Sequence, residues 1–71
     1  MADWVQIEKI GKDILSWEYM SDENNEETYE SGNLYTDDDN DKSIIDYDGC
    51  YSLPYAVWTK LENLGYDMSQ L

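Results

Sequence analysis

The sequence predicts a small α+β domain, in which an antiparallel sheet of three to four strands packs against one C-terminal helix. Runs of β-branched and aromatic residues in partial alternation predict the strands, and a helical spacing of apolar residues near the C-terminus predicts the helix. The aromatic content of 14% is far above that of a disordered acidic chain, and 41% hydrophobic residues in a chain of 71 allow one modest core. We therefore expect a single domain over residues 1–71.

Residues 4–10 fit either a short helix or a strand. Asp3 is able to cap a helix, whereas Val5 and Ile7 suit a strand. We favour the strand because it would form a hairpin with residues 14–20, whose side chains alternate in character. The side chains of this second strand that share one face are Leu15, Trp17 and Tyr19.

The middle of the chain predicts a loop and then a second hairpin. Residues 21–27 (SDENNEE) contain no apolar side chain, which predicts an exposed loop. Residues 33–36 and 43–48 carry strand-forming side chains, and the intervening residues 37–42 (DDDNDK) have the composition of a turn.

Residues 53–64 predict the helix, because their apolar side chains recur at intervals of three and four residues. Ser52 is the candidate N-cap, Pro54 fits the first turn, and Gly65 supplies the stop. The predicted core residues of the whole domain are Trp4, Leu15, Trp17, Ile45, Val57, Leu61 and Leu64.

Acidic residues dominate the centre of the chain. Residues 18–48 hold twelve carboxylates against one cation, Lys42, in a chain of net charge −13. Self-repulsion of this size opposes folding, so its retention indicates that the field acts on something outside the protein. The predicted partner is a strongly basic surface, most commonly a groove that holds nucleic acid. Charge repulsion excludes direct binding to nucleic acid or to an anionic membrane.

The residue inventory argues against catalysis. The chain has no His and no Arg, so a Ser or Cys nucleophile would lack its usual base, and 71 residues leave little volume for a substrate cleft. Cys50 has no partner for a disulfide or a zinc site. No apolar run reaches the length of a membrane span, and residues 1–3 do not resemble the start of a leader. We expect a soluble cytoplasmic protein that is not an enzyme and needs no cofactor.

The acids fall at intervals that suit an imitation of DNA. Side chains two apart on a strand point the same way and lie roughly 6.6 Å apart, a repeat comparable with successive phosphates of one DNA strand. On this basis Asp46 and Asp48 imitate a short backbone stretch, the turn acids extend it, and the glutamates form a second line. The interleaved tyrosines offer rigid contact area and faces on which arginine stacks. The predicted partner-binding residues are Glu18, Glu26, Glu27, Glu30, Tyr35, Asp37, Asp38, Asp39, Asp41, Asp46, Tyr47 and Asp48.

In its size, its charge, its lack of Arg and His, and the acids and aromatics that alternate over residues 18–48, the chain resembles a class of small acidic DNA-mimic inhibitors. Bacteriophages and mobile elements encode this class, which includes anti-CRISPR proteins, anti-restriction proteins and uracil-DNA glycosylase inhibitors. The resemblance implies a protein that blocks DNA entry into a basic nucleic-acid-binding protein, in the host bacterial cytoplasm if the chain is phage-encoded. The oligomeric state stays open between a monomer and a homodimer. A CRISPR nuclease complex is the first candidate target.

Two alternatives stay open at this point. The first is a protein–protein adaptor that binds a host factor through exposed aromatic residues. The second is a calcium-binding module, because a run of side chains with oxygen ligands follows the spacing of an EF-hand loop. The run departs from that loop at two positions: Lys42 stands where the loop has glycine, and Asp48 stands where it has its final Glu. The candidate calcium ligands are Asp37, Asp39, Asp41, Ser43 and Asp48.

Overall fold

The computed structural model describes residues 3–23 and 26–71, and it confirms the predicted α+β fold. Each strand pairs with the next in sequence, so that the sheet is an antiparallel meander of order β1-β2-β3-β4. The elements are β1 (Asp3–Gly11), β2 (Ile14–Glu23), β3 (Glu26–Asp37), β4 (Asn40–Tyr47) and α1 (Tyr55–Asn63).

The first hairpin forms as the favoured strand interpretation predicted. Val5 lies opposite Tyr19 and Ile7 opposite Trp17, so these side chains share the face of the sheet that meets the helix. Trp4 belongs to the opposite face, because neighbouring residues of a strand point to opposite sides. It is 43% exposed, and its prediction as a core residue is therefore wrong.

The predicted loop is wrong for residues 21–23 and 26–27, because these residues belong to the β2–β3 ladder. Ser21 pairs with Thr28, and Asp22 pairs with Glu27. The two asparagines at the centre of the predicted loop, residues 24 and 25, lie outside the described residues. Backbone pairing does not require apolar side chains, so a strand end that projects beyond the core escapes a search for hydrophobic alternation.

The second hairpin is confirmed, but its turn is shorter than the predicted six residues. Asp37 already pairs with Asn40, so the turn itself is residues 38–39. The register shifts between Tyr35 and Thr36: Tyr35 lies opposite Asp46, and Thr36 lies opposite Ile44. Ile45 is the extra residue of this bulge and is 44% exposed, so the side chain that reaches the core is that of Ile44 and not of Ile45.

The helix begins two residues later and ends one residue earlier than predicted. Pro54 is the N-cap and no side chain caps the first turn, so Ser52 does not have the predicted role. At the other end, Gly65 has φ +92° and donates its N–H to Glu62, while Tyr66 N–H reaches Leu61 O at 3.0 Å, which is a Schellman ending.

The core lies between the inner face of the sheet and the helix. Leu15, Trp17, Val57 and Leu61 are buried as predicted, whereas Leu64 follows the helix end and is 45% exposed. Sequence reasoning missed three buried apolar residues, which are Leu34, Ile44 and Met68.

A tight crossing fastens the chain after β4 to the sheet. The backbone at Asp48 and Gly49 passes so close to Gly32 that a Cβ on Gly32 would lie 2.0 Å from Asp48 O. Trp17, which pairs with Gly32 across the strands, donates its indole N–H to the same oxygen at 3.3 Å. The absent side chain at position 32 therefore makes room for the segment that carries the chain to the helix.

The C-terminal segment covers part of the free edge of β4. Ile44 N–H donates to Asp67 O at 2.9 Å, and Asp67 N–H donates to Lys42 O. Met68 follows and is buried in the core. In the part of the chain that the structure describes, no helix combines the length and the apolar character needed to cross a membrane.

Candidate acidic binding surface

The side of the sheet opposite the core, here called the outer face, carries acids from all four strands. Side chains alternate along a strand, so each of these acids lies on the outer face while the residues before and after it lie on the core side. Cross-strand pairing then brings the side chains of neighbouring strands together on this face. The helix packs against the opposite side of the sheet, where the core lies. Its acids are Glu8, Glu18, Asp22, Glu27 and Asp46.

The lysines of the described residues lie away from the outer face. Lys9 is on the inner side, where it pairs with Leu15 across the strands and approaches Asp41 at 4.0 Å. Lys12 is in the first turn, 3.7 Å from Asp38. Lys42 lies over the ring of Tyr66, and Lys60 is in the last turn of the helix. Among the described residues, the outer face therefore carries no lysine of its own, although Lys60 lines a cleft to which Trp4 of that face also contributes.

The predicted binding residues separate into three groups in space. Glu18, Glu27, Tyr35 and Asp46 lie on the outer face, and Asp48 lies at the edge next to it. A second group is on the inner side of β3 and β4, and the third surrounds the β3–β4 turn. The second group is Glu26, Glu30 and Tyr47, and the third is Asp37, Asp38, Asp39 and Asp41.

The inner-side group faces the core side of the sheet. Glu30 lies opposite Tyr19, and its charge is among the causes that raise the pKa of Cys50, after desolvation by burial. Tyr47 is half-buried against the core, and its hydroxyl donates to Tyr51 O at 3.2 Å. A flat partner on the outer face would not contact either residue.

The turn group is partly engaged within the protein. Asp37 Oδ1 accepts the N–H of Asp39 at 2.9 Å, which stabilises the turn. Partial burial, followed by a hydrogen bond with Asp38 and the charge of Asp38, raises the pKa of the Asp13 carboxyl. Lys9 and Lys12 also lie at this end of the sheet, beside Asp41 and Asp38. Their positive charges weaken the negative field of the turn group.

Asp48 follows the last residue of β4, and its side chain continues the hydrogen bonding to β3. Its carboxylate accepts Asn33 N–H at 2.9 Å and the Tyr35 hydroxyl at 2.6 Å. The Tyr35 bond, followed by the Asn33 backbone bond, lowers the pKa of Asp48, and the same bond raises the pKa of Tyr35. Asp48 is therefore a structural residue that holds the tyrosine against the sheet.

Stability should depend on pH through Asp48. Its folded pKa is below the ordinary value of about 3.9, so the unfolded chain binds more protons between the two values and stability rises with pH there. The contribution is present above the ordinary value and lost as pH falls through the folded pKa. We expect the thermal midpoints of the wild type and Asp48→Asn to differ at pH 6 and to converge as the pH falls through the folded pKa of Asp48, with Tyr35→Phe reducing the difference. A gap that is constant with pH would contradict this assignment.

Two acids of the outer face oppose each other directly. Asp22 and Glu27 are cross-strand partners, both are exposed, and neither forms an ion pair within the described residues. Like charges in this position destabilise a sheet by roughly 0.2–1 kcal/mol. The pair is therefore a cost to the fold that a cation from outside would relieve.

A cleft with aromatic walls lies beside this pair. Trp4, Met20 and Tyr29 are cross-strand neighbours on three strands, and each is more than 40% exposed. Tyr29 donates its hydroxyl to Glu18 at 2.8 Å, which restrains its ring. The cleft has a volume of about 340 Å³.

Sequence reasoning did not assign this cleft. Its walls include residues of the segment interpreted as a loop, so the register that joins them was not considered. No apolar alternation in residues 21–23 and 26–28 marks this register, because these side chains are all polar.

The calcium interpretation finds no matching geometry. Asp41 and Ser43 are part of β4 and Ser43 is buried, so the candidate ligands do not surround one point. Across residues 3–23 and 26–71, no three acidic or cysteine side chains are placed to hold a metal ion.

Comparisons with known proteins yield no match, whether to a family model, a curated protein or a solved structure.

Proposed function

We propose that this chain is a DNA-mimic inhibitor that occupies the basic groove of a DNA-processing effector and blocks entry of DNA. A CRISPR nuclease complex is the first candidate, followed by restriction and repair enzymes. The observation that carries the proposal is the outer face, an open sheet surface with acids on all four strands and no lysine among the described residues.

The linear charge density supports this proposal. The molecule measures 43 × 19 × 19 Å, so its net charge of −13 corresponds to one charge in about 3.3 Å (43 Å divided by 13). One strand of DNA carries one charge in roughly 3.4 Å of helix axis. An elongated body with the charge density of a single strand suits a groove that follows nucleic acid.

The mechanism needs no catalytic step. Complementary potentials accelerate association, and the effector releases its bound anions as it would on DNA. Charge alone gives affinity that falls steeply with salt, so apolar contacts near the acids must hold the complex at physiological ionic strength. The exposed aromatic residues of the outer face are in the right place for these contacts.

Competition with DNA tests this function. A labelled DNA duplex is bound to purified effectors of three classes, namely a CRISPR nuclease complex, a restriction endonuclease and uracil-DNA glycosylase. We expect the protein to displace the duplex from at least one of them, with an apparent affinity that falls at least tenfold between 50 and 200 mM NaCl. Displacement from none of them, or binding that leaves the duplex in place, would contradict the proposal for these targets.

A second candidate function is supported by another part of the surface. Tyr51 and Tyr55 are 102% and 84% exposed, and Tyr55 lines a cleft between the helix and β1. These side chains suit an adaptor that binds a host factor by apolar contact. That function predicts that Tyr55→Ala abolishes binding, that neutralising outer-face acids has little effect, and that affinity is nearly independent of salt.

A further inference from the structure

The cleft beside the opposed acids combines aromatic and acidic side chains. Trp4 and Tyr29 offer aromatic faces, and Met20 lies between them in the cross-strand row. Two residues further along the same faces of β2 and β3, Asp22 and Glu27 also line the cleft, together with Ser21 and Thr28. Aromatic faces attract cations through their negative quadrupole, and the carboxylates attract them by charge.

We propose that this cleft receives the guanidinium group of an arginine side chain from the partner. A guanidinium is planar, so it stacks on an aromatic face while its N–H groups fork towards carboxylates. The opposed Asp22 and Glu27 would each accept from it, which would relieve their mutual repulsion. The Glu18 bond to Tyr29 at 2.8 Å holds one wall ready before binding.

The cleft has room for an arginine side chain. Its volume of about 340 Å³ lies within the roughly 300–1,000 Å³ of pockets that hold whole small ligands. A lysine would satisfy the carboxylates but would lose the planar stack and the forked hydrogen bonds. The site is therefore expected to distinguish the two cations and not merely to attract positive charge.

This proposal rests on the proposed function and deepens it, because the arginine would belong to the basic groove of the effector. Arginine is common in such grooves, where it binds phosphate through the same fork of donors. The cleft would thus bind a group that the effector normally directs at the DNA backbone.

Two blocked peptides of equal charge provide the test, Gly-Arg-Gly-Arg-Gly and Gly-Lys-Gly-Lys-Gly. Their affinities are measured by NMR titration at 50 mM NaCl. We expect the arginine peptide to bind about fivefold more tightly and to shift the resonances of Trp4 and Tyr29. Equal affinities, or shifts confined to other residues, would overturn the proposal.

Three variants identify the origin of the preference. Trp4→Ala and Tyr29→Ala should each reduce the ratio of the two affinities to near one, while the Asp22→Asn, Glu27→Gln double variant should weaken both peptides. Tyr51→Ala is the matched control, since Tyr51 is a fully exposed tyrosine outside the cleft, and it should keep the fivefold ratio. A ratio unchanged in both aromatic variants, each shown to be folded by its amide spectrum, would overturn the proposal.

The peptide measurement involves no effector, so it fails independently of the proposed function. An arginine preference without displacement of DNA from any effector would support arginine binding by the cleft and contradict the proposed DNA mimicry. Displacement of DNA without an arginine preference would support DNA mimicry and contradict arginine binding by the cleft.

Discussion

Neutralising three acids of the outer face should weaken displacement of DNA from the effector about thirtyfold at 50 mM NaCl. Each exposed charge contributes about 0.7 kcal/mol to such a contact, so three give about 2 kcal/mol, or roughly a factor of thirty. The salt dependence of the affinity should become shallower, because fewer ions are exchanged on binding. The variant carries Asp22→Asn, Glu27→Gln and Asp46→Asn, and the readout is the concentration that displaces half of a labelled duplex.

The same variant should be more stable than the wild type. Removal of the like-charge pair gains roughly 0.2–1 kcal/mol, which corresponds to a few degrees in the thermal midpoint of a domain this small. Lower affinity with higher stability is the combination expected of a surface retained for binding. Circular dichroism melts of the two proteins measure this part.

A control variant removes the same charge elsewhere, through Glu30→Gln, Asp39→Asn and Glu62→Gln. These residues lie on the inner side of β3, in the β3–β4 turn and on the helix. It should keep the wild-type displacement within about threefold. If the two triple variants were equally impaired, net charge and not the outer face would carry the binding.

Gly32→Ala should unfold much of the protein at ordinary temperature. The new Cβ would lie 2.0 Å from Asp48 O and 2.9 Å from Gly49 Cα, both of which are backbone atoms that cannot rotate away. The crossing segment must therefore move, which also breaks the Trp17 indole hydrogen bond to that oxygen. Overpacking costs about 1–3 kcal/mol and the lost bond about 1 kcal/mol.

This loss is large for a domain of 71 residues, whose core rarely supplies more than about 3–5 kcal/mol. The thermal midpoint should fall by about 10–25 °C, as measured by circular dichroism. Ser31→Ala is the control, because Ser31 is exposed beside Gly32 and should change the midpoint by only a few degrees. A Gly32→Ala midpoint within a few degrees of wild type would show that the crossing does not fasten the sheet.

The sequence was informative wherever apolar periodicity met a turn signal. The helix around Val57 and Leu61 and the strand around Leu15 and Trp17 follow from such patterns, and all four side chains are buried. That Ile44 and not Ile45 is buried could not be predicted, because it depends on the bulge in β4. One extra residue in a strand moves the side chains that follow it to the other face, and the composition of the strand does not reveal this.

The candidate surface was predicted in composition and only partly in geometry. The number of acids led to the proposal of a basic partner, but whether an acid lies on the outer face or on the core side depends on the register of the strands. Glu30 and Glu27 differ in this respect although they lie in one strand. The aromatic cleft depends on the pairing of three strands, which no local pattern encodes.

The positions of the lysines have a practical consequence for binding experiments. Reagents that couple amines to a sensor surface or a fluorophore act on lysine side chains, and all four lie on the turns, the inner side, β4 near Tyr66 or the helix. Immobilisation through these amines would turn the outer face towards the solution. A molecule attached in this way would present its acids to a basic effector much as a tethered DNA probe presents its phosphates.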